Sequence, residues 1–530
     1  MNKFFLYFNT IRHLRLKQVI YQLLYRLKPK RKWDSVPGIK TSSEYGNLIF
    51  SPWIDKYPSL DSDVFKFLNL RKQFFGFEVD WNFAGFGKLW NFNLNYMDFL
   101  LQTDLESETG LKLMHNYAER LNPGSTGLEP YPISLRGINW IKFFSKNKIQ
   151  DKNLDSSLRR QYGVLFENPE YHLMGNHLLE NGFSLLFAAF YFRDKILYNK
   201  AKEIISTELK EQVLNDGAHF ELSPMYHQII LDRLLDSVNL LQNNKHFKDQ
   251  AEFLNMMQLK ASSMIIWLNA ISFQNGEIPL LNDSARGIAP TSIELSNYAL
   301  RLGIVDSEPD NNITLLSSGY RRFGGSSYDC IADTGSIGPD YQPGHAHADS
   351  FTFELYFNGK PLIVDTGVST YEKNSRRQLE RSTISHNTVE VGSRNSSQVW
   401  DGFRVGTRAE VISTEETDKE RVVRHNGYRN FGIIHERKFS SGENSFSIED
   451  RLVGKKKLPT LSRFHFHPDS EIRTENNIIF FQGGHLALEN IENFAVRDYL
   501  YAPEFNVLIP GKVVEVSFKD NMKATFNFSR

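Results

Sequence analysis

The sequence predicts an α+β, multidomain fold in which a helical domain precedes an antiparallel β-domain. Apolar residues recur at helical spacing from about residue 60 to 300, whereas apolar and polar residues alternate through much of the second half. A polar, proline-containing stretch at 306–312 separates the two patterns. A chain of 530 residues is also too long for one ordinary hydrophobic core, so at least two large domains are expected.

The composition excludes several classes of function. The chain carries 62 basic and 62 acidic residues, so binding to nucleic acid through overall charge is not expected. The single cysteine, Cys330, excludes an intramolecular disulfide and a zinc site built from several cysteines. Any metal must therefore be held mainly by histidine and carboxylate. No run of 18 apolar residues occurs, so no membrane-spanning helix is predicted.

Residues 1–50 form a basic N-terminal segment. Within it, residues 11–32 predict an amphipathic helix in which Ile20, Leu23 and Leu24 lie among arginines and lysines. Such a helix either packs on the first domain or contacts an anionic membrane surface, and both interpretations stay open. The apolar run before it is shorter than a secretory signal requires. A cytoplasmic location is therefore expected, with a periplasmic one left open.

Residues 51–310 are predicted to form the helical domain. Amphipathic or fully apolar segments are joined by short polar or Gly/Pro-bearing turns, and such helical hairpins in series indicate a toroid or bundle rather than a parallel α/β fold. The clearest predicted helices are Leu178–Phe192, Ala201–Leu214, Met225–Leu241 and Phe253–Leu268.

Residues 311–530 are predicted to form the β-domain. Phe351–Phe357 and Lys512–Phe518 alternate with a period of two, and turn dipeptides such as Asn358-Gly359 and Asn426-Gly427 separate the runs. This pattern is typical of two stacked antiparallel sheets.

The first candidate for chemistry is the segment that begins Asn176-His177 and reaches Glu180. On a helix, Glu180 lies three residues from His177 and can orient its ring, while the Asn176 amide can donate to a substrate carboxylate. The alternative interpretation is an asparagine N-cap followed by an exposed helix pair.

The second candidate is Tyr226. Pro224 suits the first turn of a helix, which would place Tyr226 near the positive end of the helix dipole, where a phenol can act as general acid or base. A tyrosine packed in the core is the alternative. 

The third candidate is the group Arg136, Asn139 and Trp140. Bidentate pairing and stacking by these side chains could hold an anionic sugar. A capped helix entry with a buried tryptophan is the alternative.

The fourth candidate is a histidine pair, His345 and His347, which precedes an alternating run and is predicted to lie on one face of a strand. Asp365 and His386 follow His347 at wide spacings that suit ligands on neighbouring strands or loops. Two imidazoles and one carboxylate are a ligand set suited to Zn²⁺. Polar strand ends without a metal are the alternative.

Taken together, these segments resemble the heparinase II/III-type polysaccharide lyases, which include alginate and oligo-alginate lyases. The resemblance spans roughly residues 80–470 and depends on the order and joint occurrence of several motifs. Beside the four candidates, it includes Trp90-x-Phe92-Asn93-Leu94-Asn95-Tyr96, Val364-Asp365-Thr366-Gly367, Arg381-Ser382-Thr383, His386-Asn387-Thr388 and His425-Asn426-Gly427-Tyr428.

The resemblance implies an N-terminal (α/α) toroid joined to a C-terminal antiparallel β-sandwich, with a cleft between them. It implies that Asn176 and His177 engage a uronate carboxylate, with Glu180 close by, and that Tyr226 moves a proton at the scissile bond. It also implies that His345 faces the substrate.

The resemblance divides the histidine pair, because His347, Asp365 and His386 would hold a zinc ion while His345 would not. We expect this zinc to have a structural role. The ligand set would tie segments of the β-domain together.

The function expected from the resemblance is β-elimination of an acidic, uronic-acid-containing polysaccharide by a carbon–oxygen lyase. One alternative is a glycoside hydrolase in which Glu180 acts with Asp283 or Glu221. Another is a non-catalytic polysaccharide-binding or assembly factor. The basic N-terminal segment resembles that of family members associated with surface-polysaccharide biosynthesis, so processing of capsule, O-antigen or exopolysaccharide is an expected role beside nutritional degradation.

Overall fold

A computed structural model describes residues 3–27, 38–39, 45–122, 124–304 and 315–529. The predicted break at 306–312 and residues 28–32 of the predicted N-terminal helix lie outside the described residues.

Helices dominate the first part of the chain, and one short helix lies inside the β-domain. Their bounds are α1 Lys3–Ile11, α2 Leu16–Leu27, α3 Gly87–Tyr96, α4 Ser107–Arg120, α5 Pro130–Asn147, α6 Lys152–Glu167, α7 Gly175–Phe192, α8 Lys195–Gln212, α9 Pro224–Asn243, α10 Gln250–Ile271, α11 Ser292–Arg301 and α12 Ser375–Glu380. The four clearest predicted helices are α7 to α10. Each begins earlier than predicted, by three residues in α7 and α10, six in α8 and one in α9, since apolar periodicity does not define the ends of a helix.

The strands are short in the first part of the chain and longer in the second. Their bounds are β1 Leu60–Asp61, β2 Val64–Phe67, β3 Leu70–Gln73, β4 Tyr320–Gly324, β5 Tyr328–Asp333, β6 Phe353–Phe357, β7 Lys360–Ile363, β8 Val389–Val391, β9 Val399–Trp400, β10 Arg404–Val405, β11 Val411–Glu416, β12 Glu420–His425, β13 Ile434–Ser441, β14 Ser445–Val453, β15 Thr460–Phe466, β16 Arg473–Glu475, β17 Ile478–Phe481, β18 Gly484–Glu489, β19 Asn493–Tyr501, β20 Ile509–Ser517 and β21 Asn521–Phe528.

The helical domain is built around α7, which is apolar on nearly every side. Its residues Phe183–Phe192 are fully or almost fully buried, and α5, α8 and α9 pack around it. The predicted toroid-type helical domain is confirmed. A small antiparallel sheet, β1-β2-β3, flanks it and was not predicted.

The β-domain consists of two large antiparallel sheets. Their strand orders are β11-β12-β13-β14-β21-β18-β17-β16 and β19-β20-β15-β7-β6-β5-β4, with β8 also paired to β15. The inner faces meet in one apolar core, where the ring centroids of Phe353 and Phe446 lie 6.1 Å apart and those of Phe464 and Phe526 also lie 6.1 Å apart. The predicted antiparallel β-sandwich is confirmed.

The N-terminal segment contains two helices where one was predicted over 11–32. The backbone N–H of Arg15 donates to Gln18 Oε1 at 3.0 Å and so starts α2 separately from α1. Among the described residues, no helix has both the length and the apolar character needed to cross a membrane.

The two domains meet along the loop between α10 and α11. The backbone N–H of Asp283 donates to His345 O at 3.1 Å, that of Arg286 donates to Pro503 O at 2.8 Å, and that of Leu280 donates to Glu354 Oε1 at 3.1 Å. This loop therefore fixes the histidine pair against the helical domain.

Candidate active site between the two domains

Tyr226 and His345 come from different domains and stack on each other. Tyr226 lies in the first turn of α9, whose N-cap is Ser223 and whose first residue is Pro224, as the sequence predicted. The ring centroids of Tyr226 and His345 are 3.8 Å apart with an interplanar angle of 27°. The Tyr226 hydroxyl also lies 3.3 Å from the hydroxyl of Tyr371 in the β-domain. A phenol and an imidazole thus share one site at the domain boundary.

The histidine pair lies in a loop, and the prediction that it lies on a strand is wrong. The backbone N–H of Ala346 turns back to Pro343 O, and that of Ala348 donates to Arg381 O, so neither amide pairs with a neighbouring strand. Strand β6 begins only at Phe353. The Pro343-Gly344 sequence favours this turn over a strand.

Asp283 holds both histidines of the pair. His345 Nδ1 lies 2.9 Å from Asp283 Oδ2, and His347 Nε2 lies 2.8 Å from Asp283 Oδ1. The guanidinium of Arg377 donates to both carboxylate oxygens at 2.5 and 2.6 Å. Because a carboxylate only accepts hydrogen bonds, His345 Nδ1 carries a proton, and in the neutral ring Nε2 is then the nitrogen with the free lone pair.

Asn176 is fixed by Glu221 on the helical side of the site. The Asn176 side-chain amide donates to Glu221 Oε2 at 2.8 Å, and its backbone N–H donates to Oε1 at 3.1 Å. The amide has two N–H groups, so one is left for a ligand. Glu221 Oε2 also lies 3.7 Å from His345 Nε2. Glu221 therefore brings Asn176 and His345 together at the domain boundary.

His177 is oriented by Glu170, and the prediction that Glu180 orients it is wrong. His177 Nδ1 lies 3.2 Å from Glu170 Oε1, and its ring centroid lies 4.4 Å from that of Tyr131. Asn181 fixes Glu170 in turn, since its amide donates to Glu170 Oε2 at 3.2 Å. The His177 side chain is 35 % exposed, which leaves it accessible to a ligand.

Glu180 has a different partner. Its Oε1 accepts from Arg233 Nε at 2.9 Å inside the helical domain, and the residue is almost fully buried. A buried arginine without a counter-charge is costly, so Glu180 pairs with Arg233 and not with the partly exposed His177. The structure thus places Glu180 away from the substrate-binding role assigned to it.

Three further predicted substrate contacts are also in the core. Arg136 is fully buried and donates to Gln161 Oε1, Asn95 O and Gly127 O at 2.7, 2.8 and 2.9 Å. Asn139 donates to Tyr96 O, and Trp140 is fully buried. The prediction that Arg136, Asn139 and Trp140 bind sugar is wrong. Of the alternative, the buried tryptophan is confirmed, but the helix has no side-chain cap at Glu129. The polar groups of the three residues bond to backbone carbonyls and side chains of neighbouring segments instead.

Electrostatics favour an uncharged Tyr226 and a charged His177. Burial raises the pKa of Tyr226 well above its ordinary value, which outweighs any effect of the helix dipole. Burial alone would lower the pKa of His177, but the carboxylates around it, above all Glu170, raise it. Burial favours the protonated form of Glu221, yet the two neighbouring imidazoles and hydrogen bonds from Asn176 lower its pKa.

The predicted zinc ligands lie close together but are hydrogen-bonded to carboxylates. His386 Nδ1 lies 2.7 Å from Asp365 Oδ2, and the ring centroids of His347 and His386 are 5.3 Å apart. The ring atoms His347 Nδ1 and His386 Nε2 are buried and have no hydrogen-bond partner. Among the described residues no cluster of three such side chains has metal-binding geometry. Two orphaned imidazole nitrogens beside a carboxylate nevertheless fit a zinc ion chemically.

Several residues of the site were not given their observed roles from the sequence. Three are carboxylates that position other groups, namely Glu170, Asp283 and Glu221. The others are Tyr131, Tyr371 and Arg377. A weak signal existed for Asp283, because the polar triplet Asn282-Asp283-Ser284 directly follows an apolar run. Tyr371 and Arg377 had none, because only the docking of the two domains brings them to Tyr226 and Asp283.

Comparison with known families now adds to this geometry. The family described as heparinase II/III N-terminus matches residues 139–300, and the family described as heparinase II/III-like, C-terminal, matches residues 309–525. Together they cover most of the chain. The chain belongs to the heparinase II/III family.

Curated relatives of this heparinase II/III family member include a heparin-sulfate lyase from Bacteroides stercoris. It is 26 % identical over 317 residues, which cover 54 % of this chain and 45 % of the relative. A heparin-sulfate lyase from Pedobacter heparinus is 27 % identical over 248 residues, or 42 % of this chain and 37 % of the relative. The matched region spans less than half the length of these curated relatives.

Solved structures show the same fold. A crystal structure of heparinase III has a TM-score of 0.66 at 16 % identity and covers 85 % of this chain and 80 % of its own. The heparan sulfate lyase HepC from Pedobacter heparinus has a TM-score of 0.57 at 16 % identity, with 88 % and 81 % covered. This likeness extends the family's fold to both domains of the present chain.

Proposed function

We propose that this heparinase II/III family member is a polysaccharide lyase that cleaves uronic-acid-containing polysaccharide by β-elimination. The observation that carries the proposal is the stacking of Tyr226 on His345, with Asn176 and His177 on the helical side of the same cleft. Relatives named heparin-sulfate lyases support the substrate class. Processing of capsule, O-antigen or exopolysaccharide stays a prediction.

The first requirement of β-elimination is to make the C5 proton of the uronate acidic. Loss of this proton adds negative charge to the carboxylate. Hydrogen-bond donors that neutralise the carboxylate stabilise that charge and so make the C5 proton more acidic. Protonated His177 and the free N–H of Asn176 are suited to donate to that carboxylate. Glu170 keeps His177 cationic, and Glu221 holds the Asn176 amide in place.

The second requirement is a base for the C5 proton and an acid for the departing O4. His345 Nε2 is the base, because Asp283 fixes the proton on Nδ1 and orients the ring. Tyr226 is the acid, since its raised pKa keeps the phenol protonated. The C4–O bond breaks as the proton moves from Tyr226 to O4, and a C4=C5 double bond remains in the product.

The glycoside hydrolase alternative fits less well. It needs a protonated carboxylic acid and a second carboxylate flanking one bond. Glu180 is paired with Arg233 inside the helical domain, and the oxygens of Asp283 are occupied by Arg377 and the two histidines. Glu221 has a lowered pKa and is therefore a poor acid.

We also propose that His347, Asp365 and His386 bind one zinc ion. The ion would neutralise buried carboxylate charge and tie the loop of the histidine pair to the segment before β8. Elemental analysis of the purified protein tests this. We expect one equivalent of zinc per chain. In His347→Ala, both the zinc content and the melting temperature should be lower.

The proposed activity is tested by incubating the protein with alginate, heparan sulfate, hyaluronan and bacterial capsule. We expect the ultraviolet absorbance of an unsaturated uronate to rise with at least one of them. Tyr226→Phe should lower the rate by about 10²- to 10⁴-fold, the usual contribution of a general acid. Tyr57→Phe, which removes an exposed hydroxyl bonded to Glu294, is the matched control and should change nothing.

Two results would contradict the proposal. New reducing ends without the ultraviolet signal would identify a hydrolase. Polysaccharide binding without any cleavage, unchanged in Tyr226→Phe, would identify a binding or assembly factor.

A further inference from the structure

The N-terminal helices present an apolar surface to solvent. On α2, the aliphatic residues Leu16, Ile20, Leu23 and Leu27 are spaced by four, three and four positions and so share one face. All four are exposed, with Leu16 at 74 % and Leu27 at 81 %. We call this row the leucine stripe. A single exposed leucine is ordinary, but a contiguous apolar row on a surface helix indicates an interaction site.

The opposite face of α2 explains why the leucine stripe points outward. Gln18 is 1 % exposed and donates to Leu173 O at 3.2 Å. Tyr21 packs on Tyr171 at 4.7 Å between ring centroids, and Tyr25 bonds to Pro169 O. An ordinary surface helix buries its aliphatic face, whereas α2 buries its glutamine and tyrosine face. The orientation is fixed by these contacts, so the leucine stripe is a defined surface.

Helix α1 continues the surface and is attached to the β-domain. Asn9 donates to Thr407 Oγ1, and Trp400 Nε1 donates to Thr10 Oγ1, both through side chains on one face of α1. Phe8 and Ile11 lie on another face and are more than half exposed. Helix α1 thus rests on the β-domain and α2 on the helical domain, and both expose apolar side chains. We call the exposed apolar residues of the two helices, namely Phe8, Ile11 and the leucine stripe, the apolar platform.

The charge of this segment indicates its partner. Nine lysines and arginines precede the first acidic residue, Asp34, although the whole chain has a net charge of zero. Arg12, in the turn between α1 and α2, and Arg26, in the last turn of α2, are both exposed. Interfacial helices that bind anionic bilayers combine an apolar face with flanking basic residues, and each basic residue near such a surface strengthens binding about fivefold.

We propose that the apolar platform of α1 and α2 docks on the surface of an anionic lipid bilayer. The leucine stripe would enter the boundary between headgroups and acyl chains, while the basic residues face the lipid phosphates. A second copy of the chain fits the platform less well, because two strongly basic segments would meet and repel each other. This inference does not depend on the proposed lyase activity.

Co-sedimentation of the full chain with vesicles tests the proposal. We expect binding to vesicles of phosphatidylglycerol mixed with phosphatidylcholine, weaker binding to phosphatidylcholine alone, and loss of binding as salt rises. Ile20→Asp combined with Leu23→Asp should lower the partition coefficient at least tenfold, because both side chains would carry charge into the apolar boundary. Arg26→Gln should lower it about fivefold on anionic vesicles.

The matched control is Leu259→Asp, on the exposed face of α10, where the leucine is 65 % exposed. It should bind vesicles like the unchanged chain, and all variants should melt at the same temperature because the altered side chains are exposed. Equal loss of binding in Leu259→Asp, or no binding of the unchanged chain, would overturn the proposal. So would a dimer in solution that disappears in the Ile20→Asp, Leu23→Asp variant, because the platform would then be an interface between copies.

Discussion

At the scale of single residues, the site depends on carboxylates that position other groups. Glu170 holds His177, Glu221 holds Asn176, and Asp283 holds His345. Each is buried, so each fixes the geometry or the protonation state of a group that faces the cleft. The side chains proposed to react therefore take their orientation from three buried carboxylates.

The Glu170–His177 pair predicts a specific pH dependence. The folded pKa of His177 is raised, so its cationic form is present below that pKa and lost as pH rises through it. The stability that the pair contributes follows the same direction. It is fully present below the unfolded pKa of histidine and disappears above the folded one. We expect Glu170→Gln to move the alkaline limb of kcat/KM to lower pH, because the pKa of His177 loses the support of that carboxylate.

Measuring kcat/KM from pH 5 to 10 tests this expectation. Glu203→Gln is the control, because Glu203 is a largely exposed carboxylate paired only with Lys200 on the same helix. An alkaline limb that stays in place in Glu170→Gln would contradict a role for cationic His177.

Residue types were predicted better than their partners. Tyr226 and the histidine pair were identified from local signals, Pro224 in one case and the His-x-His spacing in the other. Arg136 and Glu180 were misassigned, because the local sequence does not show whether a polar side chain lies on the buried or the exposed face of its helix. Tertiary packing decides that, and it gave Arg136 three backbone and side-chain acceptors in the core.

At the scale of elements, the N-terminus of α7 carries Asn176 and His177, the pair proposed to bind the substrate carboxylate. Met174 and Gly175 both have positive φ, at 61° and 58°, so the backbone turns sharply before Asn176 and His177. A Cβ at Gly175 would lie 2.7 Å from Glu221 Oε1. The turn thus brings the backbone against the carboxylate that holds Asn176.

Gly175→Ala should therefore affect activity more than stability. The strained φ costs about 1 kcal/mol in the free energy of unfolding, while the methyl group displaces Glu221 and frees Asn176. We expect kcat to fall at least tenfold. Gly303→Ala is the matched control, since Gly303 has a φ of 71° and open space around a Cβ.

Steady-state kinetics and thermal melts of the two variants separate the effects. We expect both variants to melt at a similarly lowered temperature. Only Gly175→Ala should have a reduced kcat. Equal kcat in both variants would show that Glu221 does not position Asn176.

Element types were predictable because their patterns are local. The period of apolar residues distinguished α7 to α10 from β6 and β20, and Asn358-Gly359 correctly marked the turn between β6 and β7. The loop of the histidine pair was misread as strand, since alternation continues into it from β6 while its hydrogen bonds go to Pro343 and Arg381.

At the scale of the whole molecule, Asp283 links the two domains through one buried charge. It belongs to the helical domain, and its three partners, His345, His347 and Arg377, belong to the β-domain. Because no periodicity encodes such long-range pairing, the α-then-β order could be predicted from the sequence but the assembly of the site could not.

Asp283→Asn should uncouple the domains. Loss of the carboxylate leaves Arg377 buried without its counter-charge, which costs about 3–5 kcal/mol in the free energy of unfolding. We expect calorimetry to show one transition in the unchanged protein and two separated transitions in the variant. Asp450→Asn, which removes a buried carboxylate paired with Arg437 and His435 inside the β-domain, is the control and should lower stability without separating the transitions.

If Asp283→Asn unfolded in one transition at the same temperature as the unchanged protein, this coupling would be contradicted.

The stacking of Tyr226 on His345 also has a consequence for the order in which the protein becomes competent during synthesis. The helical domain emerges from the ribosome first and can fold as a unit, with Tyr226, Asn176 and His177 already in position. Its half of the cleft then waits for His345, which is translated 119 residues after Tyr226 and is held only once the β-domain has docked on Asp283. Under the proposed function, a nascent or truncated chain is expected to be inert toward polysaccharide, because the stacked pair of Tyr226 and His345 forms only when the two domains dock.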